Sequence, residues 1–125
     1  MLHHVSVGTA DLRRAQAFYD PVMQELGLRR TLEVEDAVGY GAGITVFSLN
    51  LPADGAPATP GNGVHVAFEV ESRAAVDAFF RVAIANGAFG DGEPGLRPRY
   101  DDHYYAAFVR DPDGNKVEAL TFAAS

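Results

Sequence analysis

The chain has 125 residues, 47% of them hydrophobic, and a formal charge of −7. That length suits one compact domain able to bury a sizeable core, and the acidic balance gives no general attraction to nucleic acid or to an anionic membrane. No apolar run is long enough to span a bilayer, and the first residues carry neither a basic nor an apolar signal region, so a cytoplasmic protein is expected. Cysteine is absent, which excludes disulfides and leaves only nitrogen and oxygen to hold any metal.

In chain order, residues 2–8 read as a strand, with Val5 and Val7 on one face and His4 and Ser6 on the other. Asp11 is a helix N-cap signal, and Leu12, Ala15, Phe18 and Tyr19 recur at helical spacing until Pro21, which is expected to kink or restart the helix before Gly27 stops it. Three short strands follow at 29–33, 37–40 and 44–49. Residues 52–63, PADGAPATPGNG, have the composition of an exposed linker.

The order then repeats. Residues 64–70 form a strand, a helix runs from a Ser72 N-cap to about Ala85, residues 91–105 read as one short strand and a loop, and a hairpin over 105–109 and 116–122 turns at DPDGN. The repeat is visible in the letters: with an offset of 61, His65 falls on His4, Val66 on Val5, Phe79 on Phe18 and Phe80 on Tyr19. The expected class is α+β, with two βαβββ modules (1–51 and 64–125, joined by 52–63) in one domain.

Strand faces bring three side chains together. If Val64, Val66, Phe68 and Val70 face the helix, then His65 faces away, and placing Val117 on the helix side puts Glu118 on the same face as His4 and His65. Two imidazoles and a carboxylate on a rigid sheet have the composition of a divalent metal site. Taken singly, each has an ordinary reading as a surface or strand residue, and it is the pseudo-symmetric placement of the histidines that favours ligation. Before the last hairpin, Arg97, Arg99, Tyr100, His103, Tyr104 and Tyr105 cluster where a cavity mouth carries its specificity groups. Arginine and tyrosine there suit a small anionic or enolisable oxygen-rich substrate, and His103 is a candidate general acid or base. Tyr104 and Tyr105 are adjacent, so only one of them faces the cavity.

The stretches HHVSVGTADLRRAQAFYDPVMQELGL, GVHVAFEVESRAAVDAFF and YYAAFVRDPDGNKVEAL together resemble the vicinal oxygen chelate superfamily, which includes glyoxalase I, extradiol dioxygenases, fosfomycin-resistance transferases and bleomycin-binding proteins. The resemblance implies paired βαβββ modules that form a curled, barrel-like mixed sheet around a cavity, with helices outside. It also implies metal ligands on the first and last strands of the modules, here His4, His65 and Glu118, with Glu118 serving in catalysis too. Aligning ITVFSLN with NKVEALT places Phe47 opposite Glu118, as cavity wall, where glyoxalase I-like members carry a second carboxylate. Classical glyoxalase I activity is therefore disfavoured.

Two classes of function are expected from this reading. One is a metal-dependent lyase, dioxygenase or transferase that chelates a small oxygen-rich substrate to Fe, Mn, Zn or Ni. The other is a non-catalytic, bleomycin-resistance-type protein that sequesters a small molecule. On the resemblance, the partners are a small-molecule ligand and a second copy in a homodimer, whose modules close within one chain or swap between two.

Overall fold

The structure is a computed structural model that describes residues 1–125. Module one comprises β1 (Val5–Gly8), α1 (Leu12–Glu25), β2 (Arg29–Val34), β3 (Ala37–Gly41) and β4 (Thr45–Asn50). Module two comprises β5 (His65–Glu69), α2 (Arg73–Ala85), β6 (Phe89–Leu96), β7 (Tyr105–Arg110) and β8 (Lys116–Thr121). The strands form two four-stranded mixed sheets, ordered β1-β4-β3-β2 and β5-β8-β7-β6, and strand pairing does not cross from one to the other.

Both helices start where a side chain can satisfy an orphan backbone donor. Asp11 accepts from the Arg14 amide and Ser72 from the Ala75 amide, each at 3.1 Å. The apolar stripe of α1 (Ala15, Phe18, Tyr19, Val22, Met23) and that of α2 (Val76, Phe79, Ala83) are buried. Pro21 neither breaks nor restarts α1, which runs through it. Val22 and Met23, both fully buried, continue the stripe past the proline, and their burial offsets the roughly 3 kcal/mol that an interior proline costs. The two stripes and one face of each sheet share a single core. Phe47 and Phe68 meet across the module boundary with ring centroids 5.5 Å apart.

The repeat survives in the register. Val5 of β1 pairs in parallel with Phe47 of β4, and Val66 of β5, its counterpart at the offset of 61, pairs in parallel with Val117 of β8. The last strand of each module thus lies beside the first, and the face away from the helices is left open.

Two expectations are corrected. Phe47 corresponds to Val117, not to Glu118, and is a fully buried core residue rather than cavity wall. Ser48 is the counterpart of Glu118. Residues 91–105 hold more strand than expected: β6 is an eight-residue edge strand whose register against β7 shifts between Gly90 and Gly92 and again between Gly92 and Gly95. Its Pro94 is tolerated because an edge strand leaves one set of donors unpaired.

Candidate functional site on the open face of the second sheet

On β8, Val117 and Ala119 enter the core and Glu118 turns to the open face. It is nevertheless 2% exposed. His65 Nε2 lies 3.0 Å from its Oε1, and the Tyr104 hydroxyl donates to Oε2 at 2.5 Å. Burying a carboxylate costs several kcal/mol, and two hydrogen bonds to a charged acceptor return about 1.5–3 kcal/mol each. When Glu118 is ionised, Nε2 is the nitrogen of His65 that bears the proton. Burial first, then the hydrogen bond to Glu118 and that carboxylate's charge, keep the Tyr104 phenol protonated well above its ordinary range.

This row, His65–Glu118–Tyr104, forms one side of a depression of about 590 Å³. Phe108, which faces Glu118 across β7 and β8, and Lys116, opposite His65 in the β5–β8 register, line it too. Arg97, Tyr100, Asp91 and Gly92 complete the lining. A smaller cavity of about 200 Å³ between β1 and β5 has Lys116 as its single charged lining residue.

The structure separates the expected site residues. Arg97, Tyr100 and Tyr104 line the depression with His65 and Glu118. Tyr105 takes the opposite face, where its hydroxyl donates to Asp77 of α2 at 2.6 Å. His103 is exposed in the turn before β7, where its backbone amide donates to Asp101, and it is not among the lining residues. His4 is exposed just ahead of β1, beside His3. Phe108, Lys116, Asp91 and Gly92 were not singled out from sequence. For the first two the signal was present, since plain alternation along β7 and β8 puts them on the face of Glu118.

On the first sheet the equivalent positions are neutral. Ser6 Oγ lies 2.8 Å from Ser48 Oγ, which donates to Asn50 Oδ1 at 2.8 Å. The chemistry of the open faces is therefore concentrated in module two.

The profile of the Glyoxalase/Bleomycin resistance protein/Dioxygenase superfamily matches residues 1–119. The chain belongs to this superfamily. A glyoxalase/bleomycin resistance protein from Albidiferax ferrireducens T118 is similar at 38% identity and a TM-score of 0.88, over 94% of this chain and 96% of that one. A glyoxalase/bleomycin resistance protein/dioxygenase family enzyme from Burkholderia phytofirmans PsJN is similar at 25% identity and a TM-score of 0.76, over 98% of each chain. A lactoylglutathione lyase from Agrobacterium tumefaciens, at 23% identity and a TM-score of 0.67 over 97% of this chain and 92% of that one, shares the fold. No curated protein matches the chain.

Members of the superfamily typically bind a divalent metal. Here the nitrogen and oxygen donors of His65 and Glu118 are the right kind, but a resident ion of the zinc type needs at least three protein donors. No three His, Asp or Glu side chains of the chain are grouped to hold one. His4, the expected third ligand, does not meet the other two, and Ser48 supplies no carboxylate. The residues of a single chain do not fit a resident ion held by three protein ligands.

Proposed function

We propose that this glyoxalase-superfamily protein acts on a small, enolisable, oxygen-rich molecule bound in the depression of module two, with His65 moving the proton and Glu118 supporting it from behind. The observation that carries this reading is the hydrogen-bonded row His65–Glu118–Tyr104. Glu118 is fully enclosed, whereas the His65 side chain is 44% exposed, so the imidazole is the member of the row that a substrate can reach. With Nε2–H directed at Glu118, Nδ1 is left as the ring's basic nitrogen. A proton taken there makes an imidazolium that the carboxylate behind it stabilises, while the Tyr104 hydroxyl holds that carboxylate in place.

A second reading has its own support. Both Glu118 oxygens are already occupied by internal donors, which suits a cavity that sequesters a ligand without turning it over. The metal expectation becomes a proposal about an assembly: His4 of a second copy would have to join His65 and Glu118, as one form of the expected homodimer allows.

Deuterium exchange separates the two readings. Hydroxyacetone incubated with the protein in heavy water is expected to exchange its enolisable protons, with exchange lost in His65→Ala and Glu118→Gln. Saturable binding with no exchange in any variant would leave the sequestering reading and remove the catalytic one. Elemental analysis of tag-free protein, alone and after loading with Fe, Mn, Zn or Ni, tests the assembly: about one equivalent lost in both His4→Ala and His65→Ala is the result it requires.

A further inference from the structure

We infer that the depression selects small organic monocarboxylates, held by Lys116 and Arg97, and that Asp91 is an internal carboxylate which the ligand displaces. This rests on reading the depression as the substrate site.

The chain is acidic overall, yet its only lysine, Lys116, lines this depression together with Arg97. Phe108 organises both: Lys116 Nζ lies 5.1 Å and Arg97 Cζ 5.4 Å from the centre of its ring. An aromatic face holds a cation without cancelling its charge. Arg97 is fixed further by its own turn, donating to the carbonyls of Gly95 and Glu93 at 2.9 and 2.8 Å. Those partners are neutral, so the guanidinium keeps its full charge in a fixed position.

The negative charges divide in two. Glu118 is committed to His65 and Tyr104. Asp91 is not enclosed, with its side chain 37% exposed, and its Oδ2 lies 3.3 Å from Lys116 Nζ and 3.0 Å from Arg110 Nε. Two cations therefore share one partly exposed carboxylate, on an edge strand with glycine on either side. Desolvation pushes the Asp91 carboxyl upward, but hydrogen bonds from Lys116 and Arg110 outweigh it and hold the group below the ordinary carboxylate range. The cations are thus already placed to bind a carboxylate.

The occupant that exists is a carboxylate, and Arg97, whose terminal nitrogens are largely committed to backbone carbonyls, contributes a fixed positive charge rather than a forked grip. The rings of Phe108, Tyr100 and Tyr104 leave room beside the charged end for a flat apolar group, in a space of the size that small-molecule sites occupy.

Mandelate and its neutral twin mandelamide test the inference by calorimetry on the intact protein. Mandelate is expected to bind about tenfold or more tightly than mandelamide, the value of a hydrogen bond to a charged partner, and to weaken as salt is added. Lys116→Met is expected to abolish that preference. Asp91→Asn is expected to tighten mandelate several-fold, about the strength of a partly exposed ion pair, and to leave mandelamide unchanged. The two variants act in opposite directions, so a folding defect cannot imitate both. If mandelamide binds as well as mandelate, or Asp91→Asn gives no gain, the carboxylate inference is overturned while the depression stands as a site. If neither probe binds any of these proteins and hydroxyacetone shows no exchange, both readings fall.

Discussion

Tyr19 of α1 donates its buried hydroxyl to Asp111 Oδ2 at 2.6 Å, across the boundary between the modules. Asp111 belongs to the DPDGN turn, which the sequence marks only as a hairpin connection. In the fold it also joins the two halves. Asn115 Nδ2 donates to the Gly8 carbonyl at 2.8 Å, and Asp113 accepts from Thr9 Oγ1 at 2.6 Å and from the Ala10 amide at 3.0 Å. The turn at the end of module two is thereby tied to the start of α1, and the open face of β8 gains a fixed frame.

This contact gives the protein an alkaline limit. Burial, then the charge and hydrogen bond of Asp111, raise the Tyr19 phenol well above its ordinary value. Burial and Asp20 do the same to Tyr40. A tyrosine whose folded pKa is raised contributes stability that is complete below about pH 10, the unfolded value, and is lost as pH climbs from there towards the folded value. The urea midpoint is therefore expected to be flat with respect to these groups near neutrality and to fall above about pH 10. Tyr19→Phe should cost about 1–3 kcal/mol at pH 7, because Asp111 loses one of its donors, and should make the alkaline fall shallower. A midpoint equally steep in that variant would mean that Tyr19 is not the group responsible.

Phe47 and Ser48 test the register. The fully buried Phe47 packs between Tyr19 and Phe68, so Phe47→Ala should cost about 3–5 kcal/mol. Ser48→Ala removes hydroxyl bonds on the open face and should cost about 1 kcal/mol. Denaturant unfolding of the two variants measures both, and a reversed order would restore the alignment read from sequence. That alignment failed for a physical reason. Tyr40 pairs with Phe47 but Gly41 pairs with Thr45, so Val46 is an extra residue in β4. Matching ITVFSLN to NKVEALT by similarity ran through this bulge as though the strand were regular. The alternation Phe47, Ser48, Leu49, Asn50 beyond it carried the correct faces.

The same contrast runs through the site. β8 is regular, and period-two reading alone put Glu118 on the face of His65. β6 is not, with two register shifts, and the placement of Asp91 and Gly92 in the lining of the same depression follows from how the strand bends rather than from any local pattern. His4 mirrors His65 in sequence, but strand pairing separates their sheets, and no residue pattern reports how two modules are set against each other. The adjacent tyrosines could be assigned to opposite faces but not told apart, because which one meets Glu118 depends on where β7 begins.

That assignment is itself testable. Tyr104→Phe removes a donor from Glu118 and should impair hydroxyacetone exchange, whereas Tyr105→Phe removes a hydrogen bond to exposed Asp77 and should leave exchange at the wild-type rate. Equal losses in the two variants would argue against a special place for Tyr104 in the row. Tyr105 also sits 5.1 Å beneath the Arg73 guanidinium, a contact that its phenylalanine variant keeps, so its effect on stability should stay within about 1 kcal/mol.

Gly92 gives the most local probe of the depression's shape. Its φ of +149° lies outside the range that side chains readily adopt, and a Cβ there would stand 2.9 Å from Phe108 Cδ1 and 3.2 Å from an Arg97 terminal nitrogen. Both neighbours belong to the cationic end of the site. Gly92→Ala must therefore displace the ring that holds the two cations or the guanidinium itself, besides paying about 1 kcal/mol or more of backbone strain. Mandelate affinity is expected to drop while mandelamide affinity changes little, since only the charged end is disturbed. A variant that lost affinity for both probes equally would place Phe108 in general packing of the depression, and one that lost neither would show that the ring moves aside without taking Lys116 and Arg97 with it.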